Sequence, residues 1–170
     1  MKKKILILAG IVLALAIFIG ITYSYYMDSV YVVNSATAGK SDITIEEDFV
    51  KPPIDPSPGT TIKKNVSAIT NGSDSYIRMM VLVNDSDIED CITLNYSNSS
   101  NWIKEADGYW YYKVPVKKGH RTDKLLESVT FNKRLPEGKN LEIICFGESV
   151  QSEGYETGYK SYLKAFDSIK

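Results

Sequence analysis

Ile62-Lys63-Lys64-Asn65-Val66-Ser67-Ala68-Ile69-Thr70, then Asn71-Gly72-Ser73-Asp74, then, past Ser75, Tyr76-Ile77-Arg78-Met79-Met80-Val81-Leu82-Val83-Asn84, is the stretch that decides the fold. Two runs of strand length, rich in β-branched and apolar residues, flank an Asn-Gly cluster, the usual signature of a hairpin or tight turn. The same grammar continues downstream. Strands are expected over Cys91–Tyr96, Tyr109–Val114, Leu125–Phe131 and Leu141–Val150. Between them lie a polar loop from Asn95 to Asn101 that ends at Trp102, the Asp107-Gly108 turn, the turn from Val116 to His120, and Leu135-Pro136-Glu137-Gly138. Upstream, Ile43, Ile45 and Glu47 alternate with Thr44 and Glu46, the period of a half-buried strand. The segment Lys51 to Gly59 holds four of the six prolines and has to be a loop, because proline neither donates to a ladder nor continues a helix. Seven or eight short strands with turns every 8 to 12 residues predict an all-β fold, a jelly-roll or immunoglobulin-like β-sandwich. Near the C-terminus the period changes: Tyr155, Tyr159, Tyr162, Leu163 and Phe166 recur at three and four residues, which predicts a short helix.

The N-terminus obeys different physics. Lys2-Lys3-Lys4 precedes an uncharged run from Ile5 to Tyr26, of which the seventeen residues Ile5 to Ile21 are apolar or small. A charge at the bilayer centre costs roughly 2.5 to 3.5 kcal/mol on insertion scales, so an uncharged run partitions readily while the lysines stay on the cytoplasmic side. The run lies between the lengths of signal-peptide cores and spanning helices. Residues 1–24 are therefore a signal peptide or a membrane anchor, an apolar helix that meets the membrane through residues 5–21. Thr22 and Ser24 have the spacing of small residues before a signal-peptidase cut, which would make Tyr25 the new N-terminus. Residues 25–42 follow as an extended leader and residues 43–170 as one β-sandwich domain. Removing residues 1–24 takes three lysines and no acid from 20 Lys+Arg and 21 Asp+Glu, leaving 17 against 21, a net charge of −4. That balance excludes nucleic acid as a partner.

Little in the chain points to catalysis. His120 is the only histidine and lies in a Lys-Lys-Gly-His-Arg turn, so a His-Glu-x-x-His zinc site is absent from the sequence, and so is a Gly-x-Ser-x-Gly elbow. Asp85, Asp87, Glu89 and Asp90 are spaced for a solvated acidic loop and lack the glycine and terminal glutamate of a calcium-binding EF-hand. No catalytic residue, metal or cofactor is expected. Cys91 and Cys145 would reach the exterior together, where their even number permits one disulfide; two buried free thiols are the other reading. Tyr109-Trp110-Tyr111-Tyr112 places alternate rings on opposite faces of a strand, one pair entering the core. Trp102 and Trp110 are the candidates for a ligand- or carbohydrate-binding surface.

Several segments together resemble one family. These are Tyr25-Tyr26-Met27-Asp28-Ser29, Val33-Asn34-Ser35-Ala36-Thr37-Ala38-Gly39 and Ile43-Thr44-Ile45-Glu46-Glu47. Further on come Tyr76-Ile77-Arg78, Asp107-Gly108-Tyr109-Trp110-Tyr111-Tyr112, Leu125-Leu126-Glu127-Ser128-Val129 and Glu148-Ser149-Val150-Gln151-Ser152-Glu153-Gly154. Their order and spacing resemble the alternate signal-mediated exported proteins of Gram-positive bacteria, which carry a SipW-type signal peptide and are TasA- and camelysin-like; Ala36 stands where the family pattern has an aromatic. The resemblance implies a β-sandwich, export through a SipW-type signal peptidase, and a place at the cell surface or in extracellular biofilm matrix. It also implies fibres, in which the freed leader of one subunit adds as a strand to the next, so that self-association or another matrix protein is the expected partner. Val30, Tyr31, Val32 and Val33 are the candidate donor strand. Camelysin-type members are regarded as metalloproteases, an activity for which this sequence offers no zinc or nucleophile constellation. N-terminal sequencing of the exported protein is expected to begin at Tyr25-Tyr26-Met27; a chain still beginning at Met1 would make residues 1–24 an anchor.

Overall fold

The computed structural model describes residues 34–36 by their backbone and residues 43–49, 56–155 and 158–168 in full. Its strands are β1 (Asn34–Ala36), β2 (Ile43–Phe49), β3 (Thr61–Thr70), β4 (Ser75–Val83), β5 (Ile92–Tyr96), β6 (Trp102–Lys104), β7 (Trp110–Tyr112), β8 (Leu126–Phe131) and β9 (Ile143–Gln151). Two short helices accompany them, α1 (Ser86–Glu89) and α2 (Ser161–Asp167). The strands make two sheets, one ordered β1-β9-β4-β7-β6 and one ordered β2-β3-β8-β5. Every pairing is antiparallel except β1 on β9. The protein is an all-β sandwich, as the strand pattern predicts.

Alternation decides what faces inward. Ile43 and Ile45 of β2, Ile62, Val66 and Ala68 of β3, Ile77 and Met79 of β4, Val129 and Phe131 of β8, and Ile143 and Cys145 of β9 meet between the sheets in the main core. A side-chain period of two places every second residue there, and at roughly 25 cal/mol per Å² this burial is the chief stabilising term. A second, smaller core lies on the outer face of the first sheet, where Tyr76, Tyr111 and Val150 meet Tyr162, Ala165 and Phe166 of α2. Helical periodicity is thus real at Tyr162 and Phe166, while Tyr155 and Tyr159 precede the helix and Tyr159 is 85% exposed.

The turn at Asn71–Asp74 joins strands of different sheets. β3 pairs with β2 and β8, whereas β4 pairs with β9 and β7, so the two strands flanking Asn71-Gly72 form no hairpin. Sheets pack about 10 Å apart, a gap that four residues at roughly 3.3 to 3.6 Å each can cross. The crossing is held by side chains: Thr70 Oγ1 donates to Ser73 O (2.6 Å) and Asn71 Nδ2 to Thr44 Oγ1 (2.9 Å). A tight hairpin lies instead between β6 and β7, where Gly108 adopts φ +88°. That left-handed conformation is available to glycine without steric cost. The polar-loop reading ended at Trp102 and missed β6, three residues paired only with β7.

Two more local readings change. The Asp85–Asp90 cluster forms α1 rather than a solvated loop: Asp85 Oδ1 accepts from Asp87 N (2.8 Å), Ile88 is buried, and Lys139 Nζ lies 2.7 Å from Asp85 Oδ2 and 2.5 Å from Asp87 Oδ2. Inside the main core sits an ion pair, with Lys64 Nζ donating to Glu47 Oε2 at 2.7 Å between side chains that are 0% and 8% exposed. The period of β2 pointed Glu47 inward. The same count along Ile62, Lys64 and Val66 points Lys64 inward, against every prior for lysine.

Gly147 sets how closely the sheets approach beside β1. A Cβ there would lie 3.0 Å from Ile43 Cδ1 and 3.2 Å from Ile45 Cδ1. Gly147→Val is expected to destabilise the fold by about 1–3 kcal/mol through overpacking, read as a lower urea midpoint at unchanged slope.

Candidate functional site

The site to consider is the flank of β9 on which β1 lies. β9 reads Ile143-Ile144-Cys145-Phe146-Gly147-Glu148-Ser149-Val150-Gln151, with Ile143, Cys145, Gly147 and Ser149 buried and the intervening Ile144, Phe146 and Glu148 less so. One flank of β9 pairs with β4 along its whole length. On the other, β1 lies parallel, with Asn34 opposite Cys145, Ser35 opposite Phe146 and Ala36 opposite Gly147. β1 belongs to the segment read as the leader, and this short pairing is where that segment meets the sandwich. Thr22, Ser24 and Tyr25 of the cleavage site and Val30, Tyr31, Val32 and Val33 of the donor strand lie outside the described residues.

An apolar strip adjoins this flank on the outer face of the sheet. Met80 is opposite Phe146 and Leu82 opposite Ile144. The four side chains are partly exposed, Leu82 by 42%. Further along the same face α2 covers the sheet, and Arg78 pins it there. The Arg78 guanidinium lies 4.3 Å from the ring centre of Tyr109 and 4.6 Å from that of Phe166, while its Nε donates to Glu148 Oε2 (2.6 Å) and its Nη1 to Tyr111 Oη (2.9 Å). Tyr111 in turn donates to Asp107 Oδ2 (2.6 Å), and Glu105 accepts from both Lys160 (3.0 Å) and Tyr162 (2.8 Å). Together these close one end of the face, while at the end beside β1 the four apolar side chains stay partly exposed.

The two tryptophans do not share an exposed platform. Trp102 is 6% exposed, donates its Nε1–H to Asp123 O (3.0 Å) and meets Tyr112 edge-on with ring centres 4.9 Å apart. Trp110 packs against the main core and stacks on Tyr96 at 4.5 Å. Tyr112 shares that core, while Tyr109 and Tyr111 lie on the opposite face, as strand alternation requires. What polar ligands would meet instead is an open groove lined by Glu46, Asp48, Lys63, Ser99, Arg121 and Asp123. Two ion pairs lie along it, Lys63 with Asp48 and Arg121 with Glu46. Hydrogen bonds from Ser99 and Asn101 hold the Asp123 carboxyl below its ordinary range.

Cys91 and Cys145 are both buried and free. Cys91 Sγ donates to Asp87 O (3.1 Å), which places it beside α1. Cys145 faces the Lys64–Glu47 pair, and burial together with the Glu47 carboxylate pushes its thiol up to about 12. His120 is exposed, its Nδ1 3.1 Å from Lys118 O.

A family model described as camelysin metallo-endopeptidase matches residues 1–104. The chain belongs to this family, the TasA- and camelysin-like group that the sequence motifs resemble, and is an exported or surface-associated protein. No curated protein and no solved structure matches it. The family's description implies a metal, and the donor set does not fit one: among the described residues no three His, Cys, Asp or Glu side chains converge to hold an ion. Also among the described residues, no helix is long and apolar enough to cross a membrane.

Two buried acids set an alkaline limit. Burial, and donation to Asp107, push the Tyr111 hydroxyl up to about 12 from its ordinary 10.0; Cys145 rises to about 12 from 9.0. The unfolded chain gives up these protons earlier than the native one. Their contribution to stability is therefore intact below pH 9 and is lost as the pH climbs toward 12. The urea midpoint is expected to fall through that window, and Cys145 to resist a thiol reagent at pH 8 until the chain is unfolded.

Proposed function

We propose that the protein is a structural component of the bacterial cell surface or extracellular matrix, without enzymatic activity, which self-associates by strand addition through its leader. The carrying observation is β1: three residues of the leader already run along β9, beside a partly exposed apolar strip. A sheet flank offers a row of N–H and C=O groups, and an extended segment from another chain satisfies them while burying alternate side chains. Because β1 and its acceptor lie on the same subunit, exchange of the leader between copies would be head-to-tail and would extend into a fibre if the rotation does not close. In this reading Val30 to Val33 lengthen the pairing begun by Asn34–Ala36. A SipW-type signal peptidase acts as the switch, since a leader tethered to the membrane at residues 5–21 cannot reach a neighbour freely. An immunoglobulin-like or jelly-roll connectivity of the two sheets suits such an assembly.

Residues 25–170 are expected to form elongated particles by electron microscopy and rising light scattering. Deletion of residues 25–36 is expected to abolish them while the β circular-dichroism signal remains. A strict monomer at all concentrations and pH values sinks the proposal. The family's description supports the rival of a metal-dependent peptidase, which casein cleavage lost on chelation would establish.

A further inference from the structure

Lys64 is 0% exposed, and its ammonium has one hydrogen-bonded carboxyl in reach, that of Glu47. Nζ lies 2.7 Å from Oε2, and the Phe49 ring stands 5.1 Å from Nζ. Glu47 Oε1 is buried and has no hydrogen-bond partner among the described residues. Cys145 lies next to this carboxyl and, with its thiol pushed up to about 12, stays protonated at neutral pH. Buried ion pairs are stabilising only when the remaining lone pairs are satisfied, and here the second oxygen meets no N–H or O–H donor among the described residues, only the weak S–H of Cys145 beside the carboxyl. As a salt bridge the pair is poorly built.

We propose that Lys64 and Glu47 are the two ends of an intramolecular amide cross-link that forms in the folded protein between β2 and β3. The inference is independent of the assembly proposed above. A proton passes from Nζ to Oε2 along the existing hydrogen bond, leaving an amine and a carboxylic acid. The amine lone pair attacks Glu47 Cδ; the Nζ–Cδ bond forms and a tetrahedral centre results. One Cδ–O bond then breaks, and that oxygen leaves as water with the proton released by Nζ. The balance is one amine and one acid in, one secondary amide and one water out, with no oxidant or other reactant.

Several features favour the step. The two groups are held side by side by neighbouring strands, in a register that sets Phe49 opposite Lys64 and Glu47 opposite Val66. Such placement is equivalent to effective concentrations of roughly 10⁵–10⁸ M, which offsets the preference of free amines and acids in water to remain apart. The dry interior favours an amide, with one N–H and one C=O, over two full charges. Cys145, as a protonated neighbour, is placed to donate its S–H to a carboxyl oxygen of Glu47 as charge develops there. The link would close residues 47–64 into a covalent loop around the proline-rich segment and fasten β2, the strand next after the leader, to the sheet.

Intact mass of the purified full chain, or of its processed form, is the test. The expected value is lower than the sequence mass by one water. Tandem mass spectrometry of a digest is expected to give a branched peptide joining residues 47 and 64, with no trypsin cleavage after Lys64. Lys64→Arg, which keeps the charge, is expected to restore the full mass. An unmodified wild-type mass, with Glu47 and Lys64 recovered in separate linear peptides, overturns the proposal. So does a water loss that maps instead to Asp107-Gly108, where a cyclic imide would have the same mass.

Discussion

The ladder between β4 and β9 is the constraint on which the rest depends. Ser75–Val83 pairs with Gln151–Ile143 in unbroken antiparallel register, joining segments far apart in sequence. Such pairing pays its loop-closure entropy before any contact rewards it, so it has to be repaid on both faces. Ile77 and Met79 with Ile143 and Cys145 face the second sheet, while Tyr76 and Val150 receive α2. The flanks are repaid too, by β7 beyond β4 and by β1 beyond β9. Arg78, paired with Glu148 and wedged between Tyr109 and Phe166, ties this ladder to the helix that covers it.

Much of this was legible because period-two alternation is a local property. The strands at 61–70, 75–83, 92–96, 126–131 and 143–151 lie within two residues of where composition and turns put them. Sheet membership is not local. Asn71-Gly72 carries the signal of a turn and nothing about whether that turn stays in one sheet; that depends on the partners β3 and β4 find elsewhere. β6 escapes because three residues are too few for a pattern, and Trp102, which closes a polar loop in the sequence, anchors the strand in the core with its indole. α1 was hidden by charge, its acidic residues suggesting solvent although Asp85 is a helix cap and Lys139 neutralises the turn. Of the candidate site, alternation set Glu47 in line with Ile43 and Ile45 and divided Trp110 and Tyr112 from Tyr109 and Tyr111, without telling which pair enters the core. Lys64 was just as readable by position, and composition argued the other way.

A sandwich with open sheets has to defend its edges. In the second sheet, β2 carries Glu46 and Asp48, each paired with a cation, and β5 is interrupted by a register shift at Asn95 and Tyr96. In the first sheet, β6 is three residues long and ends in the exposed Lys104. Charge, irregularity and shortness are the ordinary ways to make an edge unattractive to another chain. β1 has shortness alone: Asn34, Ser35 and Ala36 carry no charge, and the surface beside them is the strip of Met80, Leu82, Ile144 and Phe146. Three parallel pairs hold β1 to its own subunit. In the proposed assembly a longer segment beginning near Val30 competes for the same flank, and each added pair along β9 also covers more of that strip. Exchange then gains both backbone hydrogen bonds and apolar burial, so the flank that the fold defends least is the one where association stabilises most.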